Sequence, residues 1–117
     1  MAESDNILTK LHELLFSVIP LLGKFPRDQK FVLGDRIEVK LLEVQESCLR
    51  AYYHREKREH LIEANMTLEI TRRLIRLAHA LRYFSNQAYA VSSKKLDELG
   101  RMIGGSMKSA ASTGGAR

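Results

Sequence analysis

The chain has 117 residues, of which 44% are hydrophobic and 28% are charged, with no tryptophan and only two prolines. This length fits one domain with a single modest core, and the composition excludes a disordered chain. The formal net charge of +5 is uneven, because residues 1–70 hold ten Lys/Arg against twelve Asp/Glu, whereas residues 71–117 hold nine against two. The basic excess of the second half favours a polyanionic partner, with a solvated basic surface as the alternative.

The N-terminal region lacks the basic start and long apolar stretch of a targeting or membrane segment. The longest mostly apolar run, residues 14–22, is interrupted by Ser17 and Pro20. It falls short of the ~20 residues that span a bilayer, so we expect a cytoplasmic protein. The single cysteine, Cys48, excludes an internal disulfide, and its place among apolar positions with helical spacing predicts a packed thiol rather than a nucleophile.

Apolar residues recur at intervals of three and four in the first half of the chain, which is typical of amphipathic helices. The first helix should run from about residue 5 to residue 23, and Pro20 should kink it or end it. Pro26 interrupts the pattern, since the residue before a proline avoids helical geometry. A second helix with a wide apolar stripe should then run from about Arg27 to about Tyr53.

The charged stretch of residues 54–60 predicts a turn, because a helix that continued through Phe84 would be unusually long for a domain of this size. The third helix should therefore run from about Glu59 to Phe84. We expect its buried face to consist of Ala64, Met66, Ile70, Leu74, Leu77, Ala78, Leu81 and Phe84. A loop at residues 85–87 should follow, and then a short fourth helix capped by Ser92 and Ser93 and stopped by Gly104 and Gly105.

The four segments together predict an all-α protein, namely an antiparallel four-helix bundle with short connections. The bundle should occupy residues 7–108. We expect a flexible N-terminus at residues 1–6 and a disordered C-terminal tail at residues 109–117.

The sequence carries no motif for catalysis or for metal binding. Bundle di-iron sites need Glu-x-x-His motifs on two helices, and the nearest candidates here are crowded into one charged stretch. The four histidines are scattered, and the glycine pairs follow no strand and precede no phosphate-binding Lys-Ser/Thr pair. We therefore expect a non-enzymatic protein with no metal and no cofactor.

A basic face on the third helix is the strongest functional signal. A helical wheel places Arg72, Arg73, Arg76 and, further along, Tyr83 opposite the predicted buried face. Arginine binds phosphate through two parallel hydrogen bonds, and tyrosine stacks on unpaired bases. The predicted nucleic-acid-binding residues, with the fourth helix included, are Arg72, Arg73, Arg76, Tyr83, Lys94, Lys95 and Arg101. The alternative is an ordinary wet helix face on which Glu69 pairs with the arginines that follow it.

Five short motifs stand out along the chain: KFPR at 24–27, LGDRI at 33–37, LRAYY at 49–53, RLIRLA at 73–78 and LDELGRMIGG at 96–105. Through these motifs the chain resembles, over roughly residues 7–108, the accessory variability determinant (Avd) proteins of diversity-generating retroelements. More distantly, it is similar to the four-helix-bundle proteins encoded in bacterial ribosomal-RNA intervening sequences.

The resemblance implies a homopentameric ring of bundles that binds the reverse transcriptase of the element and its template RNA, with DNA or an RNA–DNA hybrid as alternative ligands. Such a protein supports error-prone, adenine-directed copying of a template repeat into a variable gene. The match assigns the three arginines of the third helix to the basic face and Arg101 to the closing helix. Ser106 departs from the pattern, because an aromatic residue is expected there in many relatives. The alternative function is a structural assembly protein whose charges serve only solubility.

Overall fold

The computed structural model describes the backbone of residues 2–115 and the side chains of residues 6–110. The elements in chain order are α1 (Ala2–Leu22), α2 (Arg27–Gln29), a π-helical turn (Lys30–Gly34), α3 (Asp35–Tyr53), α4 (Lys57–Ala80) and α5 (Asn86–Gly115). Within these residues no strand is present. The prediction of an all-α protein is confirmed.

The four long helices, α1, α3, α4 and α5, form an elongated bundle of 52 × 22 × 20 Å. α1 packs mainly against α3 and α5, and α4 packs against the same two helices, so α1 and α4 occupy opposite corners. One continuous cluster of buried apolar side chains fills the centre, with contributions such as Leu14, Leu41, Leu68 and Leu99 from the four helices. Burial of this cluster is the main favourable contribution to folding.

The two prolines mark the connection between the first helix and the second. α1 continues for two residues past Pro20, because a proline removes only one hydrogen bond of the last turn. The amides of Gln29 and Lys30 then both donate to the carbonyl oxygen of Pro26, at 2.8 Å. Helical structure continues from there to Tyr53, as predicted, although the sequence pattern does not indicate the π-helical turn within it.

The predicted turn in the charged stretch is confirmed, since α3 ends at Tyr53 and α4 begins at Lys57. The ammonium group of Lys57 donates to the carbonyl oxygens of Ala51 and Tyr52, at 3.2 and 3.3 Å. It thereby satisfies acceptors that the end of a helix leaves without an intrahelical donor. The turn is therefore closed by a lysine rather than by glycine or proline, which explains why its sequence signal is weak.

The buried face predicted for α4 is wrong for four of its eight members. Its buried residues are Leu61, Ala64, Leu68, Thr71, Ile75 and Ala78, whereas Met66, Ile70, Leu77 and Leu81 are exposed. The helix carries two apolar stripes, and the core takes the one that combines large residues such as Leu68 and Ile75 with small residues such as Ala64 and Ala78. The buried hydroxyl of Thr71 is satisfied within the helix, since it donates to the carbonyl oxygen of Thr67 at 2.8 Å.

The fourth long helix is much longer than predicted. The capping residue is Ser85, whose hydroxyl oxygen accepts the amide of Ala88 at 3.1 Å, while the predicted cap Ser92 lies fully buried inside α5. Gly104 and Gly105 do not stop the helix. Each interior glycine costs about 1 kcal/mol, which the packing of the neighbouring core residues outweighs.

The predicted flexibility of residues 1–6 and 109–117 stays a prediction. The bounds of α1 and α5 include most of these residues, while Met1 and residues 116–117 lie outside the described part of the chain.

Cys48 is only 3% exposed and packs in the core, which confirms the sequence prediction of a packed thiol. Burial raises the pKa of this thiol from 9.0 to about 12, because the apolar surroundings disfavour the thiolate. The side chain is therefore neutral in the folded protein at physiological pH.

Modification of Cys48 by a thiol reagent should be slow in the folded protein and fast after unfolding, as measured by mass spectrometry.

Because the folded-state pKa lies above the unfolded value, the contribution of this thiol to stability is complete below pH 9 and declines as the pH rises toward 12. The unfolding free energy of Cys48→Ala should thus depend less on alkaline pH than that of the wild type. Equal pH dependence of the two proteins would contradict the burial effect.

Two rows of exposed apolar side chains cover the outer surface of α3 and α4. The α4 row consists of Ile62, Met66, Ile70, Leu77 and Leu81, and the α3 row consists of Val39, Leu42, Leu49 and Tyr53. Members of each row lie three, four or seven residues apart, so each forms one continuous helical stripe. We call this surface the α3–α4 apolar face. A polar seam that includes Ser47, Arg50 and Glu63 joins the two helices, and exposed apolar rows such as these are typical of interaction sites.

Candidate nucleic-acid interface

A polar cleft of about 270 Å³ separates the outer sides of α4 and α5. We call it the α4–α5 cleft, and its lining residues are Glu69, Arg72, Arg73, Ile75, Arg76, Tyr89, Ser93, Leu96 and Asp97. All three arginines of the predicted basic face contribute to it, so the structure brings them together with polar residues of the following helix.

Arg72 connects the two helices rather than pointing freely into solvent. Its guanidinium donates from Nη1 to Oδ1 of Asp97 at 2.8 Å and from Nη2 to the carbonyl oxygen of Leu96 at 3.2 Å. The arginine side chain is 34% exposed and the aspartate 53% exposed. Solvent weakens such a pair, so it contributes no more than about 1 kcal/mol to stability. Its main effect is to fix the separation of the cleft walls.

Gly100 provides the space for this guanidinium. A Cβ atom placed at Gly100 would overlap with Nη2 of Arg72, whereas a Cβ at Gly104, one turn later, would meet no atom within 4 Å. The absence of a side chain at residue 100 therefore permits the contact between Arg72 and α5. We call Arg72, Asp97 and Gly100 the interhelical clamp.

Gly100→Ala and Gly104→Ala should differ in their effect on stability, although each replaces a glycine inside α5. Gly104→Ala should raise the free energy of unfolding by about 0.5–1 kcal/mol through helix propensity alone. Gly100→Ala should raise the free energy of unfolding by less, because the new methyl group displaces Arg72 from Asp97. Chemical denaturation of both variants measures the difference, and equal stabilisation would show that the clamp contributes nothing.

Arg73 and Arg76 are the more available cations of the cleft. Both are exposed, and the nearest carboxylate oxygen to Arg73 Nε belongs to Glu69, at 4.0 Å. Glu69 lies at the same distance from Arg72 Nε, which is too long for a hydrogen bond. The intrahelical pairing expected of an ordinary wet helix face thus exists, but it is loose and exposed and leaves these guanidinium groups free to donate to a ligand.

The lysines and the arginine predicted on the fourth helix do not share one environment. Lys94 and Arg101 are exposed and lie seven residues apart, and Lys108 continues the same row after a further seven. Residues with this spacing fall on one helix face, and none of the three lines the cleft. Lys95 is half-buried and, at the next position along the helix, points about 100° away from Lys94.

The aromatic residue at the cleft is Tyr89 rather than Tyr83. Tyr83 packs against Phe25, with their ring centroids 5.6 Å apart, and does not line the cleft. Tyr89 lines the cleft and stacks on His79 with centroids 4.1 Å apart and rings 3° from parallel. Sequence reasoning missed Tyr89 and Ser93 because it started the fourth helix at Ser92. A helix from Asn86 places them one turn apart on one face.

Arg82 occupies the turn between α4 and α5 with a φ of 68°. The amide of Tyr83 donates to the carbonyl of Ala78 and the amide of Arg82 to that of His79, at 2.8 and 2.9 Å. This is the Schellman pattern, in which the left-handed position is usually glycine. An arginine there costs conformational energy, and its exposed side chain forms no ion pair with the described residues. It is a further exposed cation, in the turn between α4 and α5.

Among the described residues, no helix is long and apolar enough to cross a membrane, and no group of three or more potential metal ligands occurs. A family model described as bAvd-like matches residues 6–110, which is most of the chain. The chain belongs to the bAvd-like family. The comparison with curated proteins gives no match.

Membership of the bAvd-like family indicates an accessory, non-catalytic role in diversity-generating retroelements. The matched region contains α3, α4 and most of α1 and α5, and with them the α4–α5 cleft and the α3–α4 apolar face. Both surfaces therefore belong to the bAvd-like domain itself rather than to flanking sequence.

Proposed function

We propose that this chain is a non-enzymatic accessory protein that binds the reverse transcriptase and the template RNA of its retroelement and thereby supports mutagenic reverse transcription. DNA or an RNA–DNA hybrid formed during copying would present the same phosphates to the same surface. The proposed place of action is the cytoplasm, where the template RNA is copied.

The observation that carries the proposal is the concentration of available cations on the α4–α5 side of a bAvd-like bundle. Arg73, Arg76, Lys94 and Arg101 are exposed on these two helices. Residues 71–117 hold nine Lys/Arg and only two acidic residues, one of which is held by Arg72. A surface that gathers several cations releases counterions from nucleic acid when it binds.

A salt titration of RNA binding tests the proposal directly. The purified protein should bind a labelled single-stranded RNA in a fluorescence anisotropy assay, and the logarithm of its affinity should fall linearly with the logarithm of salt concentration. The slope should correspond to about 0.7 per phosphate contact. Absence of RNA binding at low salt would favour the alternative, a structural assembly protein without nucleic-acid function.

Binding to the reverse transcriptase needs a separate measurement. The two proteins should co-purify after nuclease treatment if they contact each other directly, and they should separate if only RNA joins them. In the Arg73→Glu/Arg76→Glu variant, retained co-purification would assign the basic surface to nucleic acid, whereas its loss would assign these arginines to the polymerase.

The α3–α4 apolar face supports the proposed homopentameric ring. A closed ring is built from head-to-tail contacts, which join two different surfaces of neighbouring subunits. A second apolar patch lies on α1, where Phe16 is 77% exposed beside Pro20 and His12. The chain thus offers two distinct apolar surfaces, as a head-to-tail contact requires.

Light scattering should report a particle of five times the mass of the 117-residue chain. Met66→Glu, which places a charge in the middle of the α3–α4 apolar face, should yield smaller species. Asn65→Glu adds the same charge at the neighbouring exposed position and should leave the assembly unchanged. This use of the apolar face would be contradicted if the wild type were a monomer, or if both variants formed particles of the same mass as the wild type.

A further inference from the structure

We propose that the α4–α5 cleft is a site for one unpaired nucleotide, with its phosphate on the arginine wall and its base against Tyr89. This inference rests on the proposed RNA-binding function and assigns a specific subsite to it. A general basic surface would treat single strands and duplexes alike, whereas a nucleotide-sized cleft with an aromatic wall distinguishes them.

The phosphate half of the site is formed by side chains from both helices. Arg73 and Arg76 belong to the α4 wall, and Ser93 places a hydroxyl on the α5 wall. Arg72 Nε lies in the same region and is buried without a hydrogen-bond partner among the described residues. Because this atom has no accessible surface, a ligand in the cleft does not reach it, and Arg73 and Arg76 are the donors for which the cleft lacks an acceptor.

The acidic residues of the cleft do not provide that acceptor. Asp97 already accepts from Nη1 of Arg72 at 2.8 Å, and Glu69 lies 4.0 Å from Nε of both Arg72 and Arg73. Three guanidinium groups against two carboxylates leave a net charge of +1 in the cleft. A phosphate oxygen supplies the missing acceptor and balances this charge.

The base half of the site is a prearranged aromatic stack. Tyr89 is nearly parallel to His79, at a centroid distance of 4.1 Å. The Nε2 atom of His79 is 2.8 Å from Oδ1 of Asn86, which fixes the histidine ring and therefore its stacking partner. A platform that is already ordered costs little entropy when a base adds to it. The cleft volume of about 270 Å³ lies near the lower end of the range for small-ligand pockets, which suits a ligand no larger than one nucleotide.

Replacement of the Tyr89 ring tests the site with a matched pair of variants. Tyr89→Leu removes the ring but keeps an apolar side chain, and Tyr89→Phe keeps the ring. The affinity of Tyr89→Leu for a single-stranded RNA of about twenty nucleotides should fall about 5- to 150-fold, the range for loss of one base–aromatic stack. Its affinity for a blunt RNA duplex of the same length should not change. Tyr89→Phe should bind both probes like the wild type.

A second measurement on the wild type keeps the test valid even if Tyr89→Leu fails to fold. Adenosine 5′-monophosphate should shift the nuclear magnetic resonance signals of Tyr89 and Ser93, while inorganic phosphate should shift Ser93 but not the Tyr89 ring. The base half of the site would be overturned if both probes shifted the signals of the Tyr89 ring equally, or if neither probe shifted them. Equal losses of single-strand and duplex affinity in folded Tyr89→Leu would also overturn it.

The outcomes separate this inference from the broader function. If the wild type binds no RNA, the proposed function fails and the subsite fails with it. If the wild type binds RNA with the expected salt dependence while folded Tyr89→Leu binds single strands unchanged, only the subsite is rejected.

Discussion

Arg73→Glu/Arg76→Glu should lower the affinity for single-stranded RNA by about 10- to 150-fold for each arginine, since a hydrogen bond to a charged group contributes about 1.5–3 kcal/mol. Both side chains are exposed and lie on the wall of the α4–α5 cleft. Exposed substitutions usually change stability by no more than about 0.5 kcal/mol. The variant should therefore remain folded by circular dichroism while anisotropy shows the loss of binding.

Neutral replacements provide the control for this result. Arg76→Gln should reduce the slope of the salt dependence by about 0.7 for each phosphate that the side chain no longer neutralises. Arg72→Gln should reduce it less, because the guanidinium of Arg72 is already shared with Asp97 and the carbonyl of Leu96. Intact affinity of the double glutamate variant at physiological salt would remove Arg73 and Arg76 from the site.

Ile75→Ala should destabilise the protein by about 2–5 kcal/mol, the range for removing a large buried aliphatic side chain. Ile75 is completely buried between α4 and its neighbours. The truncation leaves a cavity in a core that cannot fully close around it. Thermal unfolding should show the loss as a decrease in Tm of roughly 4–8 °C per kcal/mol for a domain of this size.

Leu77→Ala is the matched comparison, because it removes a similar side chain two residues later. Leu77 is 48% exposed, so its truncation creates no enclosed cavity. Its effect on a subunit should be small, and any larger effect should depend on protein concentration, since Leu77 belongs to the α3–α4 apolar face. If Leu77→Ala proved more destabilising than Ile75→Ala in dilute protein, the observed rotation of α4 would be incorrect.

The sequence was sufficient to predict the fold class because helical periodicity persists in every long segment. It was insufficient for the rotation of α4, where Met66 and Leu77 are exposed, while Leu68, Thr71 and Ile75, which the predicted buried face did not include, face the core. Close packing between helices decided the rotation, and that depends on neighbours a single helical wheel does not contain. The early start of α5 was missed for a related reason, since one serine hydroxyl caps it and two serines downstream offered an equally good signal.

The candidate site was predictable in its charges and less so in its geometry. The arginine cluster and the basic second half of the chain are visible in the sequence, and the structure gathers those arginines in one cleft. The pairing of Arg72 with Asp97 joins residues 25 positions apart, and the stack of Tyr89 on His79 joins residues across a turn. Contacts of this kind depend on how two helices dock, which local periodicity does not specify.

The interhelical clamp has an evolutionary consequence. Arg72 needs the carboxylate of Asp97, and it reaches α5 only because residue 100 has no side chain. A chance replacement of Gly100 would displace the arginine and leave Asp97 as an isolated acid, which would repel the phosphates of a nucleic acid. The three positions should therefore change together among related sequences, whereas Gly104, where an added Cβ would meet no neighbouring atom, should drift independently.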